Sequence, residues 1–222
     1  MTPGLVIFDC DGVLVDTERV ANRILAELVT DLGFPISGPQ CQQRFMGRTL
    51  ENVREMVEEL TGHALAADWP EQVRRRDLEA FRAGVPAIPG VSDVLDDLDR
   101  RDVPYCVGSS GRHEKMRTTL GSSGLLPRLE GKLFSAEDCA RGKPAPDVFL
   151  LAAKTMGHLP ENCTVIEDSV PGVLAAKAAG MRAFAFVEDP ACDRDALRSA
   201  GAILFESMRE LPGLLFSKAE SF

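Results

Sequence analysis

Short apolar runs alternate with amphipathic segments along most of this chain. The runs that we predict to be strands lie at 5–8, 103–107, 164–166, 183–187 and 202–205. Segments with helical periodicity follow several of them, near 91–101, 112–120, 146–156 and 171–180. Wholly apolar strands that alternate with helices are typical of a parallel sheet covered on both faces. The pattern therefore predicts an α/β fold built on a doubly wound parallel sheet.

One long stretch interrupts this alternation. Between the first and second predicted strands, helical periodicity appears at 19–32, 49–60 and 70–82, without a convincing strand. Pro86, Pro89 and Gly90 then mark the return to strand–helix alternation. We therefore predict two domains, an α/β core formed by 1–16 and 87–222 and a small helical cap domain inserted at 17–86. The hinge between them is expected near 14–18 and 84–88.

Composition narrows the class of protein. The 222 residues include 25 Lys and Arg against 34 Asp and Glu, a formal net charge of −9. An acidic chain is not built mainly to bind nucleic acid or an anionic membrane surface, because those partners select positive charge. The six cysteines form no CxxC pair, and no uncharged apolar run approaches the ~20 residues of a membrane span. We expect a cytoplasmic protein with reduced thiols, either a monomer or a small homo-oligomer.

The first predicted strand ends in a pair of carboxylates, Asp9 and Asp11, followed by Gly12. Ligands of open α/β sheets bind beyond the carboxyl ends of the strands, so this position favours a site. Like charges held so close need a cation, and Mg²⁺ is a hard cation that prefers oxygen ligands. The alternative is a polar turn. Asp16 and Thr17 are interpreted as caps of the helix that follows.

Two loops at later strand ends could bind an anion. Gly108-Ser109-Ser110-Gly111 can present a hydroxyl and neighbouring N–H groups, although turn chemistry alone also explains it. In Gly142-Lys143-Pro144-Ala145-Pro146-Asp147, two prolines stiffen the backbone around one lysine. A point charge fixed in this way suits a phosphoryl group. The alternative for Lys143 is an ordinary exposed loop lysine.

The fourth strand end carries Glu167 and Asp168, with Pro171 in the first turn of the next predicted helix. They are either further oxygen ligands for the cation near Asp9 or, with Ser169, simple helix caps. Together the four strand ends supply an acid pair, a hydroxyl, a fixed lysine and a second acid pair. Phosphoryl transfer needs this combination of nucleophile, metal and cations around an anionic transition state.

These motifs resemble the haloacid dehalogenase superfamily of aspartate-nucleophile phosphatases. The matching residues are DCDGVLVDT at 9–17, Ser109, GKPAPD at 142–147 and VIEDSVPG at 165–172. The resemblance implies a Rossmann-like core, and the insertion at 17–86 resembles the small cap of β-phosphoglucomutase-like members. Within that group, GKLFS at 131–135, Lys115-Met116 and PENC at 160–163 resemble 6-phosphogluconate phosphatase most.

The resemblance implies a role for each matched residue. Asp9 would be the nucleophile and form an aspartyl-phosphate, and Asp11 would be the general acid and base. Ser109 and Lys143 would hold the phosphoryl oxygens. Mg²⁺ would be bound by Asp9, the main-chain carbonyl of Asp11, Asp168 and, directly or through water, Glu167. A small phosphate ester is the expected partner.

Departures from related families favour a phosphatase. Mutase members carry a histidine and an arginine in the cap, and those positions here hold Ala21 and Leu50. No lysine precedes Lys115, which disfavours a Schiff base formed by a cap lysine. A phosphomutase is the alternative, and a non-catalytic binding protein with this fold is a remote one.

Substrate choice is expected from residues in and near the cap. Arg44, Gly47 and Arg48 form a candidate substrate loop, since two arginines suit an acidic or polyhydroxylated phosphate ester. A solvated helix end is the alternative for both arginines. Ser110 and Lys115, which follow the second predicted core strand, are further candidate substrate-binding residues.

Overall fold

The computed structural model of the chain describes residues 2–46, 48–189 and 192–216. Six parallel strands form one sheet in the order β3-β2-β1-β4-β5-β6. Their bounds are β1 (Leu5–Phe8), β2 (Tyr105–Ser109), β3 (Leu133–Ser135), β4 (Cys163–Glu167), β5 (Arg182–Phe186) and β6 (Ile203–Phe205). In the register, Ile7 of β1 lies between Cys106 of β2 and Val165 of β4. The predicted α/β fold with a parallel sheet is confirmed.

Helices cover both faces of this sheet, while four others follow β1 directly along the chain. The four are α1 (Thr17–Asp31), α2 (Gly38–Phe45), α3 (Leu50–Thr61) and α4 (Trp69–Ala83). The rest are α5 (Val91–Arg100), α6 (His113–Ser122), α7 (Leu126–Leu129), α8 (Asp147–Thr155), α9 (Val170–Ala178), α10 (Arg194–Ser199) and α11 (Leu211–Phe216). No helix in the described ranges is both long enough and apolar enough to cross a bilayer.

The central strand shows why the core has two apolar layers. Successive side chains of a strand point to opposite faces. Val6 and Phe8 therefore join the cluster that includes residues of α5, α6 and α11. Leu5 and Ile7 join the cluster that includes residues of α8 and α9. All four side chains are fully buried, so packing on both faces of the sheet fixes the position of β1 and of the residue that follows it.

The residues from 17 to 86, called the helical insert below, have an apolar cluster of their own. It includes Val29, Phe45, Val57, Trp69 and Val73, all buried. The two chain crossings that join the insert to the sheet run side by side. Asp16 N–H donates to the Pro86 carbonyl at 3.0 Å, and Ile88 N–H donates to the Leu14 carbonyl at 3.0 Å. These bonds fix where the insert leaves and re-enters the sheet.

Several short elements have no counterpart in the prediction. The strand β3 has three residues, which is too short for apolar periodicity to stand out. The helix α2 has a weak apolar pattern, although Ser37 and Gln40 form a capping box at its start. The helices α7, α10 and α11 have four to six residues each. Of these short elements, β3 contributes to the sheet edge discussed next, because Ser135 is in register with Ser109 of β2.

Candidate active site

Asp9 lies directly after β1, where its backbone N–H donates to the Ile166 carbonyl of β4 at 2.8 Å. This bond fixes the residue against the neighbouring strand, and Asp9 is only 7% exposed. Its Oδ1 accepts from Lys143 Nζ at 2.5 Å. Burial raises the pKa of Asp9 to about 7, with Glu167 and Asp11 adding to the effect and Lys143 opposing it. A carboxylate in this position is anchored and poorly hydrated, which suits a nucleophile.

Lys143 joins two strand ends. Its Nζ donates to Asp9 after β1 and to Glu167 Oε1 at the end of β4, the latter at 2.6 Å. The side chain is 5% exposed and packs on the Phe149 ring, whose centroid lies 4.8 Å from Nζ. Burial disfavours the ammonium form, but the two carboxylates outweigh it and raise the pKa of Lys143. The stiff loop, in which the Lys143–Pro144 bond is cis, thus holds a permanent positive charge beside Asp9.

Glu167 is fully occupied by partners from the protein. Its Oε2 accepts from the N–H groups of Asp168 and Ser169, at 3.0 and 2.9 Å, and from Ser169 Oγ at 2.8 Å. A Cβ added at Gly172 would come within 1.8 Å of Oε1, so only glycine leaves room for this carboxylate. Ser169, not Asp168, caps α9 by accepting from the Gly172 N–H. Glu167 therefore holds Lys143 in place.

Asp168 is a further carboxylate at this edge, and it is half-buried. A Cβ added at Gly12 would come within 1.9 Å of Asp168 Oδ2, so the carboxylate lies against the backbone just after Asp11. Gly12 has a φ of 77°, a conformation that glycine adopts without strain. Burial raises the pKa of Asp168 well above its usual range, and Glu167 and Asp9 add to the effect. Because Ser169 caps α9, Asp168 has no capping role, and its carboxylate faces the loop that follows β1.

The donor set fits a hard divalent cation. Four carboxylates (Asp9, Asp11, Glu167 and Asp168) face two ammonium groups, Lys143 and Lys115, which leaves an excess of negative charge. A cation would relieve the carboxylate repulsion that adds to the effect of burial on the pKa values of Asp9 and Asp168. Among the described residues, no group of three or more His, Cys, Asp or Glu side chains is arranged to hold a metal ion by itself. Mg²⁺ needs none, because it binds through one or two carboxylates and retains several waters.

Asp11 is held by two partners. Thr17 Oγ1 donates to Oδ1 at 2.8 Å, and Lys115 Nζ from α6 donates to Oδ2 at 2.8 Å. Asp16 is the N-cap of α1, as predicted, and its side chain accepts from the Arg19 N–H. The prediction that Thr17 is also a cap was wrong. Thr17 is the first residue of α1 and 3% exposed, and its hydroxyl turns inward to Asp11 because the strand–loop geometry brings that carboxylate beneath it.

Ser109 lies at the end of β2 next to Asp11. It is 1% exposed, and its Oγ accepts from the Gly111 N–H at 3.0 Å. A Cβ added at Gly111 would lie 3.4 Å from Ser109 Oγ and 3.6 Å from Asp11 Oδ2, so the loop and the carboxylate are neighbours. Ser110 is exposed. The structure thus brings Asp9, Asp11, Ser109, Lys143, Glu167 and Asp168 to one edge of the sheet.

The predicted substrate residues are more scattered. Lys115 lies at this edge but is bound to Asp11. Arg44 stacks over the Phe34 ring at 5.9 Å and lines a surface cavity of about 390 Å³ with other residues of the insert. Arg48 is exposed, and Gly47 lies outside the described residues. None of the described contacts of Arg44 involves the carboxyl edge of the sheet.

Two residues that lie near the site were not identified from the sequence. Thr17 was assigned to capping because Thr is common at helix starts, and its real partner lies six residues earlier. Asp77 of α4 faces Lys115 from the insert, and nothing in the sequence distinguishes it from the charged residues around it. The proximity of Asp77 to Lys115 becomes apparent only from the packing of α4 against α6.

Comparison with known proteins agrees with this geometry. The family description of haloacid dehalogenase-like hydrolases matches residues 3–180. The 6-phosphogluconate phosphatase of Escherichia coli is 34% identical over 186 residues, which is 83% of each chain. Hexitol phosphatase A of the same organism is 31% identical over 183 residues, 81% of each chain.

A solved structure agrees as well. A HAD family hydrolase from Deinococcus radiodurans, with bound phosphate and sodium, superposes with a TM-score of 0.85 at 28% identity. The match covers 96% of this chain and 95% of the other. The family match spans the strand ends that hold Asp9, Ser109, Lys143 and Asp168, and the relatives named above are phosphatases. This chain belongs to the haloacid dehalogenase-like hydrolases.

Proposed function

We propose that this hydrolase is a Mg²⁺-dependent phosphatase of small phosphorylated sugars or sugar acids that works through an aspartyl-phosphate. One observation carries the proposal. Lys143 contacts both Asp9 and Glu167 from a buried position, so a carboxylate nucleophile stands beside a fixed positive charge. That charge can stabilise the oxygens of a transferring phosphoryl group. 6-Phosphogluconate is the first compound to assay.

In the first half-reaction, a carboxylate oxygen of Asp9 attacks phosphorus. A new oxygen–phosphorus bond forms as the bond from phosphorus to the leaving alcohol breaks, and Asp11 gives its proton to that alcohol. Lys143 and Ser109 hold the phosphoryl oxygens. Thr17 Oγ1 and Lys115 Nζ, which donate to the two oxygens of Asp11, hold its carboxyl group in position for this transfer.

In the second half-reaction, a water molecule attacks the same phosphorus. Asp11, now a carboxylate, accepts the proton of this water, and the aspartyl oxygen–phosphorus bond breaks. Inorganic phosphate leaves, and Asp9 is regenerated. The ion pair with Lys115 positions the Asp11 carboxylate for this step.

Mg²⁺ would be held by Asp9, Asp168 and the main-chain carbonyl of Asp11, with Glu167 contributing through water because its own oxygens are already bonded. When bound, the ion would neutralise charge on the transferring phosphoryl group. The residues themselves position the nucleophile and the acid. Burial of Asp9 and Lys143 limits competing water.

The helical insert is proposed to be the cap that closes over the substrate. Its two crossings are bonded to each other at 14–16 and 86–88, so it can move as one body about that pair. Arg48 is proposed to contact the leaving group from the insert. For Arg44, the contact with Phe34 supports the solvated alternative.

The test is phosphate release with Mg²⁺ from a panel of sugar phosphates, sugar acid phosphates and polyol phosphates. Wild-type enzyme is expected to prefer a subset of the panel and to lose activity in EDTA. Asp9→Asn is expected to reduce turnover by at least about 1,000-fold, since the nucleophile is removed. Phosphoryl transfer between sugar hydroxyls without phosphate release would identify a phosphomutase and overturn the proposed phosphatase. An active Asp9→Asn variant would refute the aspartyl-phosphate route.

A further inference from the structure

Asp77 of α4 carries a buried atom that has no hydrogen-bond partner. Three side-chain atoms in the described part of the chain share this state, namely Arg54 Nε, Asp77 Oδ1 and His113 Nδ1. A buried carboxyl oxygen without a donor is costly, and such exceptions call for an explanation. Burial raises the pKa of Asp77 to about 6, and the Lys115 ammonium opposes the shift. Asp77 therefore destabilises the fold, and the attraction of the Lys115 ammonium offsets only part of this cost.

The position of Asp77 connects it to the candidate site. Phe81 lies one helical turn further along α4, on the same face as Asp77. Lys115 Nζ lies 5.6 Å from the centroid of the Phe81 ring and donates to Asp11 Oδ2 at 2.8 Å. Asp77, Phe81, Lys115 and Asp11 therefore occupy one region where the insert meets the sheet.

The proposed mechanism says what occupies this region during catalysis. Asp11 protonates the oxygen of the leaving alcohol, so the rest of that alcohol extends from Asp11 towards the insert. Lys115 is already paired with Asp11, whereas Asp77 Oδ1 lacks a donor. An ionised carboxylate only accepts hydrogen bonds, and the common donors of a sugar or polyol are its hydroxyl groups.

We infer that Asp77 is a specificity residue that accepts a hydrogen bond from a hydroxyl group of the leaving alcohol. The inference rests on the proposed phosphatase function and deepens it. Oδ1 is closed to solvent in the present arrangement, so the hydroxyl reaches it when α4 moves relative to α6. Selection follows, because a leaving group without hydroxyls would leave this carboxylate unpaired.

The test compares hexitol 6-phosphate with n-hexyl phosphate, which has the same chain length and no hydroxyl. Asp77→Ala is expected to lower kcat/KM for hexitol 6-phosphate by about 10- to 100-fold, the effect of losing a hydrogen bond to a charged group. Its kcat/KM for n-hexyl phosphate stays within about twofold of the wild-type value. Asp77→Asn keeps an acceptor oxygen and is expected to lose less than Asp77→Ala.

A thermal melt separates this role from a structural one. Since Asp77→Ala removes an unpaired buried carboxyl, its Tm is expected to equal or exceed that of the wild type. Glu79→Ala, an exposed acidic position on the same helix, serves as the matched control and should change neither substrate.

The outcomes decide between the two proposals. Three results for Asp77→Ala would overturn the role of Asp77 alone. They are an equal loss of kcat/KM on both substrates, an unchanged kcat/KM for hexitol 6-phosphate, and a lowered Tm with a parallel loss of kcat/KM on both substrates. Wild-type enzyme that releases no phosphate with Mg²⁺ from these two compounds or from any member of the panel of sugar, sugar acid and polyol phosphates would overturn the proposed function and this inference together.

Discussion

The carboxyl edge of the sheet and the helical insert meet in this protein, and they are built differently. At the edge, the side chains of Lys143 and Glu167 are at most 5% exposed, and each is bonded to partners from other strand ends. In the insert, Arg74 pairs with Glu51 and Glu71 at the surface, while Asp77 Oδ1 is buried without a partner. At the edge the buried cation is bonded to two buried carboxylates, whereas in the insert a buried carboxyl oxygen has no donor.

This difference separates chemistry from selectivity. Phosphoryl transfer requires fixed positions for the nucleophile and its cations, and rigid strands supply them. Recognition of different leaving groups requires polar groups that acquire partners only when the substrate is bound. We therefore expect substitutions at the edge to affect all substrates, and those in the insert to affect some of them.

The largest effect is expected for Lys143→Met. It leaves Asp9 and Glu167 buried without their shared cation, which costs about 3–5 kcal/mol of stability and removes the charge that holds the phosphoryl group. Activity should fall by more than about 100-fold on every substrate, as for the loss of an oxyanion donor. Chemical denaturation and phosphate release measure the two effects.

Arg74→Met is the matched control in the insert, because it also removes a cation from two acidic partners. Its side chain is 48% exposed, so Tm and activity should stay close to the wild-type values. A stable, active Lys143→Met variant would contradict the distinction between the two regions.

A smaller effect is expected for Thr17→Val. The change keeps the shape of the side chain but removes the hydroxyl that donates to Asp11 Oδ1. We expect kcat to fall about tenfold with little change in KM, since a hydrogen bond to a charged group is lost at the proposed acid. Thr17→Ser should restore most of kcat. If valine and serine behave alike, Thr17 does not position Asp11.

The smallest effects are expected for two arginines of the insert. Arg48→Ala should slow the hydrolysis of both sugar phosphates and an aryl phosphate, and the loss should be a few fold larger for sugar phosphates, because contacts to their leaving group are lost. Arg44→Ala should change neither, because Arg44 stacks on Phe34. Equal losses for Arg48→Ala on both substrates would remove it from the specificity site.

The sheet edge could be predicted from sequence for a physical reason. Asp9, Ser109, Glu167 and Asp168 lie at or directly after the end of an apolar strand, and parallel strands bring their carboxyl ends together whatever the details of the helices. Asp9 after β1 and Glu167 at the end of β4 were located in this way. The distance between their motifs along the chain did not matter.

The contacts of individual side chains could not be predicted. Thr17 has the same local sequence signal whether it caps α1 or bonds to Asp11, and only the structure shows that Asp16 is the cap while Thr17 donates to Asp11. Asp77 lies among charged residues of an amphipathic helix, and its burial depends on how α4 packs against α6. Such packing is a tertiary property that helical periodicity does not encode.

The most direct test of the account is to trap the phosphorylated nucleophile. Asp11→Asn enzyme, incubated with Mg²⁺ and a preferred substrate, is quenched in acid and digested for peptide mass spectrometry. Without its general acid the variant should phosphorylate Asp9 slowly, and without its general base the intermediate should persist. After a long incubation the account therefore predicts one phosphoryl group on the peptide that contains Asp9 and none in Asp9→Asn/Asp11→Asn. Wild-type turnover by Asp11→Asn with no phosphorylated Asp9 would contradict it.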